Sequence, residues 1–345
     1  MKLLEALPRT HDPRALVGFD SADDAAVFRL GEPGDPDADC ILATTDFFTP
    51  VVDSPFDFGR VAAANALSDV WAMGGEPLFA LNLVGFPAKV LPMEVLGAIL
   101  AGGAAVAEEA GIPILGGHST DFDVPVYGMA VTGRVKASRL RRNVGARPGD
   151  ALVLTKALGT GILTSAMRAR VLRERSIRAL LGRGEGPTPD EEAAAVASMA
   201  LLNRPAARAA DAFDVAASTD VTGYGLLGHL KEMLGAGGVS AEVFAAAVPV
   251  LAGARRLVSR GFAPDGSRRN LAAARPRLEV APGVAETDLL LAADAQTSGG
   301  LLLAVRESQA DALVSALRAG GDAPAAVVGR FTKAGAGSPA IRVDP

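Results

Sequence analysis

The sequence predicts a mixed α/β protein of two domains, and three observations carry that prediction. The chain has 345 residues, enough for two ordinary domains with a substantial core each. Its 49% hydrophobic and 21% charged residues mark a folded rather than a disordered chain. Short β-rich runs alternate with helical stretches, and the polar, turn-rich segment Asn143–Asp150 interrupts them near the middle. That junction divides an amino-terminal domain, residues 1–148, from a carboxy-terminal one, residues 149–345.

The elements follow in order. Cys40–Asp46 is β-rich and predicts a strand, with Cys40 at a buried strand position. Ser54, Pro55 and Asp57 stand as cap, first helical residue and first-turn acid of a helix running to Met73, which Gly74-Gly75 stops. A second helix is expected from Pro92 to Ala110, ending at Gly111. The apolar segment Ile112–Leu115 leads into the glycine turn Gly116-Gly117-His118-Ser119-Thr120, and Pro125–Val135 is a further strand. Beyond the junction, a strand at Ala151–Lys156 precedes a helix from about Ile162, and Gly182–Asp190 is expected as a surface loop. Helices at Glu191–Asn203, Tyr224–Leu234 and Gln309–Arg318 surround strands such as Leu301–Val305 and Ala325–Phe331. No solenoid-length repeat occurs.

Composition excludes several functions. The net charge is −5 and no Lys/Arg block offers a nucleic-acid footprint, so no nucleic-acid partner is expected. One cysteine, Cys40, leaves neither a disulfide framework nor a cysteine zinc cluster. Glu5 falls where a signal peptide needs its apolar region. The longest soft apolar stretch, Val95–Ala107, is too short for a bilayer and is flanked by Glu94, Glu108 and Glu109. A cytoplasmic protein without membrane contact is the expectation.

The chemistry is expected at aspartates set in small apolar segments: Asp23-Asp24 before Ala25-Ala26-Val27, Asp46 in Thr44-Thr45-Asp46-Phe47-Phe48, Asp69 in Asn65-Ala66-Leu67-Ser68-Asp69, and Asp220 in Thr219-Asp220-Val221-Thr222. A carboxylate among apolar neighbours is partly desolvated and needs a cation, a donor or a metal. Hard divalent cations taken with phosphates supply one answer. Asn65 and Asp69 share a helix face, which suits one cation or a polar pair at a domain interface. The Asp23-Asp24 doublet fits either a ligand set facing two ways or a solvated turn. Gly116–Thr120 offers backbone donors for an anion, with His118 as a phosphate donor or a structural histidine. Leu158-Gly159-Thr160-Gly161 resembles a phosphate-cradling turn, although no Walker A pattern exists and Lys156 precedes the glycines. Gln296-Thr297-Ser298-Gly299-Gly300 reads as a turn into a core strand, and His229 as a helix residue at a packing edge.

Taken together in order, these segments resemble the selenophosphate synthetase (selenide, water dikinase) family. The resemblance rests on Asp-Asp-Ala-Ala-Val at 23–27, Thr-Thr-Asp-Phe-Phe at 44–48, Asp57-Phe58-Gly59-Arg60 and Asn-Ala-Leu-Ser-Asp-Val-Trp-Ala-Met-Gly-Gly at 65–75. It extends through Gly-Gly-His-Ser at 116–119, Leu-Thr-Lys-Ala-Leu-Gly-Thr-Gly at 154–161, Thr-Asp-Val-Thr-Gly-Tyr-Gly-Leu-Leu-Gly-His at 219–229 and Gln-Thr-Ser-Gly-Gly at 296–300. It implies the two-domain aminoimidazole ribonucleotide synthetase-like fold and a homodimer joined through amino-terminal sheets. The implied reaction converts ATP, selenide and water to selenophosphate, AMP and orthophosphate, with Mg2+ as cofactor. By motif match, Asp24, Asp69 and Asp220 are expected as metal ligands. Asp23, Asp46, Asp69, Gly117, His118 and Ser119 are expected as nucleotide contacts. A superfamily small-molecule kinase of the thiamine-monophosphate type and an ATP-binding partner protein are the alternatives.

The family pattern begins with a glycine-rich segment bearing Cys or selenocysteine and then Lys, and neither has a counterpart here. Met1–Leu7 matches the helix that follows that segment, so no catalytic residue is assigned. An amino-terminally incomplete chain is the expectation, with in-frame coding sequence upstream of Met1; the alternative is a natural short form that binds ATP and performs another phosphotransfer or none. Ala157 and Ala295 stand where the family usually has Pro.

Overall fold

The computed structural model describes residues 11–18, 23–174, 186–235, 238–335 and 341–345. The first part holds β1 (Ala15–Val17), β2 (Ala26–Arg29), β3 (Asp39–Phe48), α1 (Pro55–Ala72), β4 (Glu76–Phe86), α2 (Met93–Ala110), β5 (Ile114–Asp121) and β6 (Val126–Lys136). The second holds β7 (Asp150–Leu154), α3 (Thr160–Glu174), α4 (Pro189–Ala200), α5 (Arg204–Ala210), β8 (Val215–Asp220), α6 (Gly225–Met233), β9 (Val239–Phe244) and α7 (Ala254–Ser259). It continues through α8 (Asp265–Ala274), β10 (Leu278–Val280), α9 (Glu286–Ala292), β11 (Leu301–Arg306), α10 (Glu307–Ala319), β12 (Ala326–Lys333) and β13 (Ile341–Asp344). The mixed α/β class read from the sequence is the class observed.

Each part is built on one mixed sheet. The first has the order β1-β2-β3-β6-β4-β5, antiparallel except for the parallel pair β4/β5. The second has the order β10-β13-β9-β12-β7-β11-β8 and is parallel only where β13 meets β10 and β9.

α1 lies between the sheets and explains its own composition. Ser54 caps it, its side chain accepting from Asp57 N–H at 3.2 Å. From Phe58 to Ala72 nearly every residue is buried, including Asn65, Ser68 and Asp69. A helix enclosed on all sides reads as apolar all round. The alanines and glycines let α2 come very close. A Cβ on Gly59 would lie 2.0 Å from the Ile99 carbonyl oxygen, and one on Gly102 would lie 2.0 Å from that of Phe56. One continuous core joins α1, the first sheet, α4, α5, α10 and the α1-facing side of β7 and β11. The polar face of α1 meets β3 of the first sheet on one side and β8 and the turn before β11 on the other.

Two expectations need correction. Gly116–Thr120 is not a turn but part of the edge strand β5. Gly117 runs beside Asn82, where a Cβ would sit 2.1 Å from the Asn82 carbonyl oxygen, so its glycines serve close strand approach. The end of the Gly182–Asp190 loop is helical: Pro189 and Asp190 open α4, and Thr188 and Glu191 form a capping box. Residues 182–185 and the expected helix at Met1–Leu7 lie outside the described residues. Cys40 is buried in β3, as expected.

Candidate active site between the two sheets

Asn65, Ser68 and Asp69 occupy one face of α1 because their spacing of three and four matches the helical turn. β3 brings Thr44 and Asp46 to that face, since alternate strand residues point the same way. Asp69 accepts from the Thr44 hydroxyl and Asp46 from Asn65 Nδ2. From the other sheet, β8 ends at Asp220, and Thr219 donates to Asp24 at 2.9 Å. Ser68 accepts from Asn203 Nδ2 at 2.8 Å, and its hydroxyl favours the ionised form of Asp220. Asp24, Asp46, Asp69 and Asp220 are thus gathered from both parts of the chain.

Their electrostatics follow from burial. Asp69 is raised well above the usual carboxylate range by burial, then by Asp220, Asp46 and Asp24. Asp24 is raised likewise, by burial and then Asp220. Asp46 is pushed up to about 6, again by burial first and Asp220 second. Asp220 is raised by burial, against which Ser68, His229 and Lys156 act. Crowded, desolvated acids of this kind await positive charge.

The donor chemistry fits Mg2+. Asp24 Oδ2 and Asp220 Oδ2 are buried with no hydrogen-bond partner, and hard divalent cations take such oxygens. Among the described residues no three His, Cys, Asp or Glu groups stand as a ready-made metal cage. Mg2+ characteristically completes its shell with waters and substrate phosphates, so a partial protein set is compatible with it.

Other expected site residues lie elsewhere. The Asp23 side chain is fully enclosed: Oδ2 accepts from Arg142 at 3.0 and 3.2 Å and Oδ1 from Asn143 N–H at 2.8 Å. In this geometry it clasps the linker rather than facing the carboxylate cluster. His118 lines a groove with Phe47, Leu83 and Phe122. Phe47 points away from its neighbour Asp46 in the strand, so His118 is on the outer face of the first sheet, opposite the aspartates. His118 therefore does not meet the cluster within one chain; Gly117 and Ser119 face the other way, but β5 is the sheet edge, separated from β3 by β6 and β4. His229 is buried in α6 beside Thr222, a packing residue as read.

The presumed phosphate cradle at Gly159-Thr160-Gly161 is already filled. Asp294 accepts from Gly161 N–H at 3.1 Å and Ile162 N–H at 3.3 Å, capping α3 with a carboxylate. Gln296 Oε1 takes Gly159 N–H at 3.0 Å, Thr160 N–H at 3.2 Å and the Thr160 hydroxyl at 3.0 Å. Sequence reading missed these partners because they lie more than a hundred residues away. It also passed over Thr44, Thr219 and Ser68, because each serves an aspartate distant in sequence (Asp69, Asp24 and Asp220) rather than its neighbour.

Comparison with known proteins agrees with this architecture. The family model described as AIR synthase related protein, N-terminal domain, matches residues 22–135, and its C-terminal counterpart matches residues 147–341. The chain is 45% identical over 317 residues to a selenide, water dikinase of Carboxydothermus hydrogenoformans, covering 92% of this chain and 86% of that one. It is 46% identical over 344 residues to one from Myxococcus xanthus, covering 99% and 91%. Among solved structures, thiamine-monophosphate kinase from Stenotrophomonas maltophilia superposes with a TM-score of 0.63 at 21% identity, covering 96% and 91%. Hydrogenase maturation protein HypE in complex with ATP superposes with a TM-score of 0.62 at 19% identity, covering 92% and 83%. The structural likenesses speak for the fold, and the sequence identity goes further: the chain belongs to the selenide, water dikinase family of AIR synthase related proteins.

Proposed function

We propose that this protein is an ATP-dependent phosphotransferase that makes selenophosphate from ATP, selenide and water, releasing AMP and orthophosphate. The supporting observation is the cluster of Asp24, Asp46, Asp69 and Asp220, buried acids held in place by hydroxyls and amides but short of positive charge. Asp24, Asp69 and Asp220 would hold Mg2+, which when bound supplies charge against the triphosphate and orients it for in-line transfer. Asp46, steadied by Asn65, accepts from the nucleotide, and α1 with the second sheet excludes water from behind. Asp23 supports the site indirectly by fixing residues 142–143.

A homodimer is part of the proposal. The outer face of the first sheet is apolar along Phe28, Phe47 and Leu81, all exposed, and no described element covers it. A second copy paired there would bury this face, as obligate interfaces do. Gly117, His118 and Ser119 then contact nucleotide at the dimer junction. Sedimentation equilibrium is expected to give twice the 35.1 kDa chain mass, and a monomer at micromolar concentration would contradict it. A cytoplasmic location is likewise proposed. No helix among the described residues is long and apolar enough to cross a membrane.

Chromatography of nucleotides after incubation with Mg2+-ATP, with and without selenide, tests the reaction. AMP formed only with selenide is the expected result for the protein carrying the family's amino-terminal Cys/Sec and Lys segment. ADP as the final product would point to a kinase with another acceptor. Tight nucleotide binding without turnover would point to a binding protein.

A further inference from the structure

Lys156 follows β7 and is 1% exposed, and the only part given to it above is its charge acting on Asp220. A buried ammonium is tolerated only where acceptors replace water. Its Nζ donates to the Leu201 carbonyl at 2.6 Å and to the Ser298 carbonyl at 3.0 Å. Those carbonyls come from separate segments, one closing α4 and the other in the turn before β11. Ser298 is, among the described residues, the one non-glycine residue with positive φ, at 50°. Such a conformation persists only where its surroundings over-determine it.

The same turn is fastened to α1 twice. Ser298 N–H donates to Asn65 Oδ1 at 2.9 Å, and Asn65 in turn holds Asp46. The Gly299 carbonyl accepts from Asn203 Nδ2 at 2.8 Å, and Asn203 also donates to Ser68, which holds Asp220. Two relays therefore run from one strained turn to two of the clustered aspartates, and Lys156 stands behind the turn.

We infer that Lys156 is a positioning residue: its ammonium holds the Ser298 turn in the left-handed conformation that aims Asn65 at Asp46 and Asn203 and Ser68 at Asp220. This inference rests on the nucleotide-binding reading of those aspartates. Burial pulls the Lys156 pKa down to about 8, while Asp322 and Asp220 act the other way, so the charge persists at neutral pH. A methionine of similar length keeps the packing but leaves both carbonyls without a donor.

Calorimetric titration of the full chain with Mg2+ and a non-hydrolysable ATP analogue tests the inference. Lys156→Met is expected to weaken binding at least about tenfold, the range seen when a supporting partner of a metal site is lost. Adding Ser298→Gly to it is expected to recover part of that loss, because glycine takes positive φ without strain. The Ser298 hydroxyl has no hydrogen-bond partner to lose. Lys156→Met combined with Asn65→Ala is expected to be less than additive, since both act through one relay. The buried Leu257→Ala in α7, matched for lost thermal stability, is expected to keep wild-type affinity. Should Lys156→Met fail to fold, Lys156→Gln carries the same expectation, because its shorter amide cannot span both carbonyls. Affinity within about twofold of wild type, an additive double variant, or equal weakening by Leu257→Ala would overturn the role of Lys156. Absence of binding by the wild-type chain would instead overturn the nucleotide reading itself.

Discussion

Replacing Asp69 with asparagine is expected to weaken Mg2+-nucleotide binding by more than about 100-fold while raising the melting temperature of the ligand-free protein. The affinity loss exceeds the roughly 10- to 100-fold typical of outer-shell partners, because Asp69 is itself an expected ligand. The gain in stability follows from its surroundings. Asp69 is buried on α1, and Asp220, Asp46 and Asp24 all oppose its ionisation. Asparagine keeps an oxygen for the Thr44 hydroxyl and removes the charge. Calorimetry and thermal unfolding together check both halves. A variant that binds like wild type would remove Asp69 from the site.

The same carboxylates set a pH dependence. Their folded-state pKa values are raised, with Asp46 near 6 against an ordinary 3.8. The folded state therefore holds protons that the unfolded chain has released, and stability is lost as pH rises through the window from about 4 to 6 and beyond. The ligand-free protein is thus expected to melt higher at pH 5 than at pH 7. Mg2+-nucleotide, which needs ionised acids, should restore more stability at the higher pH. A shift of two pKa units at Asp46 alone corresponds to about 3 kcal/mol. Asp69→Asn should flatten this slope.

Asp294→Ala is expected to lower stability by roughly 3–5 kcal/mol. Asp294 is fully buried and accepts from four donors: Gly161 N–H, Ile162 N–H, the Ser267 hydroxyl at 2.8 Å and Gln296 Nε2 at 2.9 Å. Alanine leaves the Gly161, Ile162 and Ser267 donors unanswered, Gln296 Nε2 keeping only the Asp294 carbonyl at 2.7 Å, and removes the negative charge from the start of α3. Burial pushes the Asp294 carboxyl up to about 6 in spite of those donors, so it remains largely ionised at neutral pH. Urea denaturation at pH 7 measures the loss. A change below about 1 kcal/mol would mean that water replaces the carboxylate without penalty.

The contrast between Asp69 and Asp294 shows what could be read from the sequence. α1 was legible from Ser54 to Gly75, because its cap, its proline, its stop and its apolar composition are all local signals. The aspartates were legible because a carboxylate in an apolar segment is out of place wherever the chain folds. β5 was misread because its glycines carry two meanings, turn freedom and close strand approach, and only the Asn82 backbone beside Gly117 decides between them. The filled end of α3 and the fastened Ser298 turn depend on partners over a hundred residues distant. Which face of the first sheet holds His118 depends on strand register. Such long-range pairings have no periodic signature in the chain.

The most direct measurement is a crystal structure of the protein with Mn2+ in place of Mg2+ and a non-hydrolysable ATP analogue, with the metal located by anomalous scattering. Metal peaks are expected at about 2.1 Å from oxygens of Asp24, Asp69 and Asp220, with nucleotide phosphates completing the coordination and Asp46 against the nucleotide. Metal and triphosphate bound elsewhere, with those carboxylates touching only protein, would contradict this.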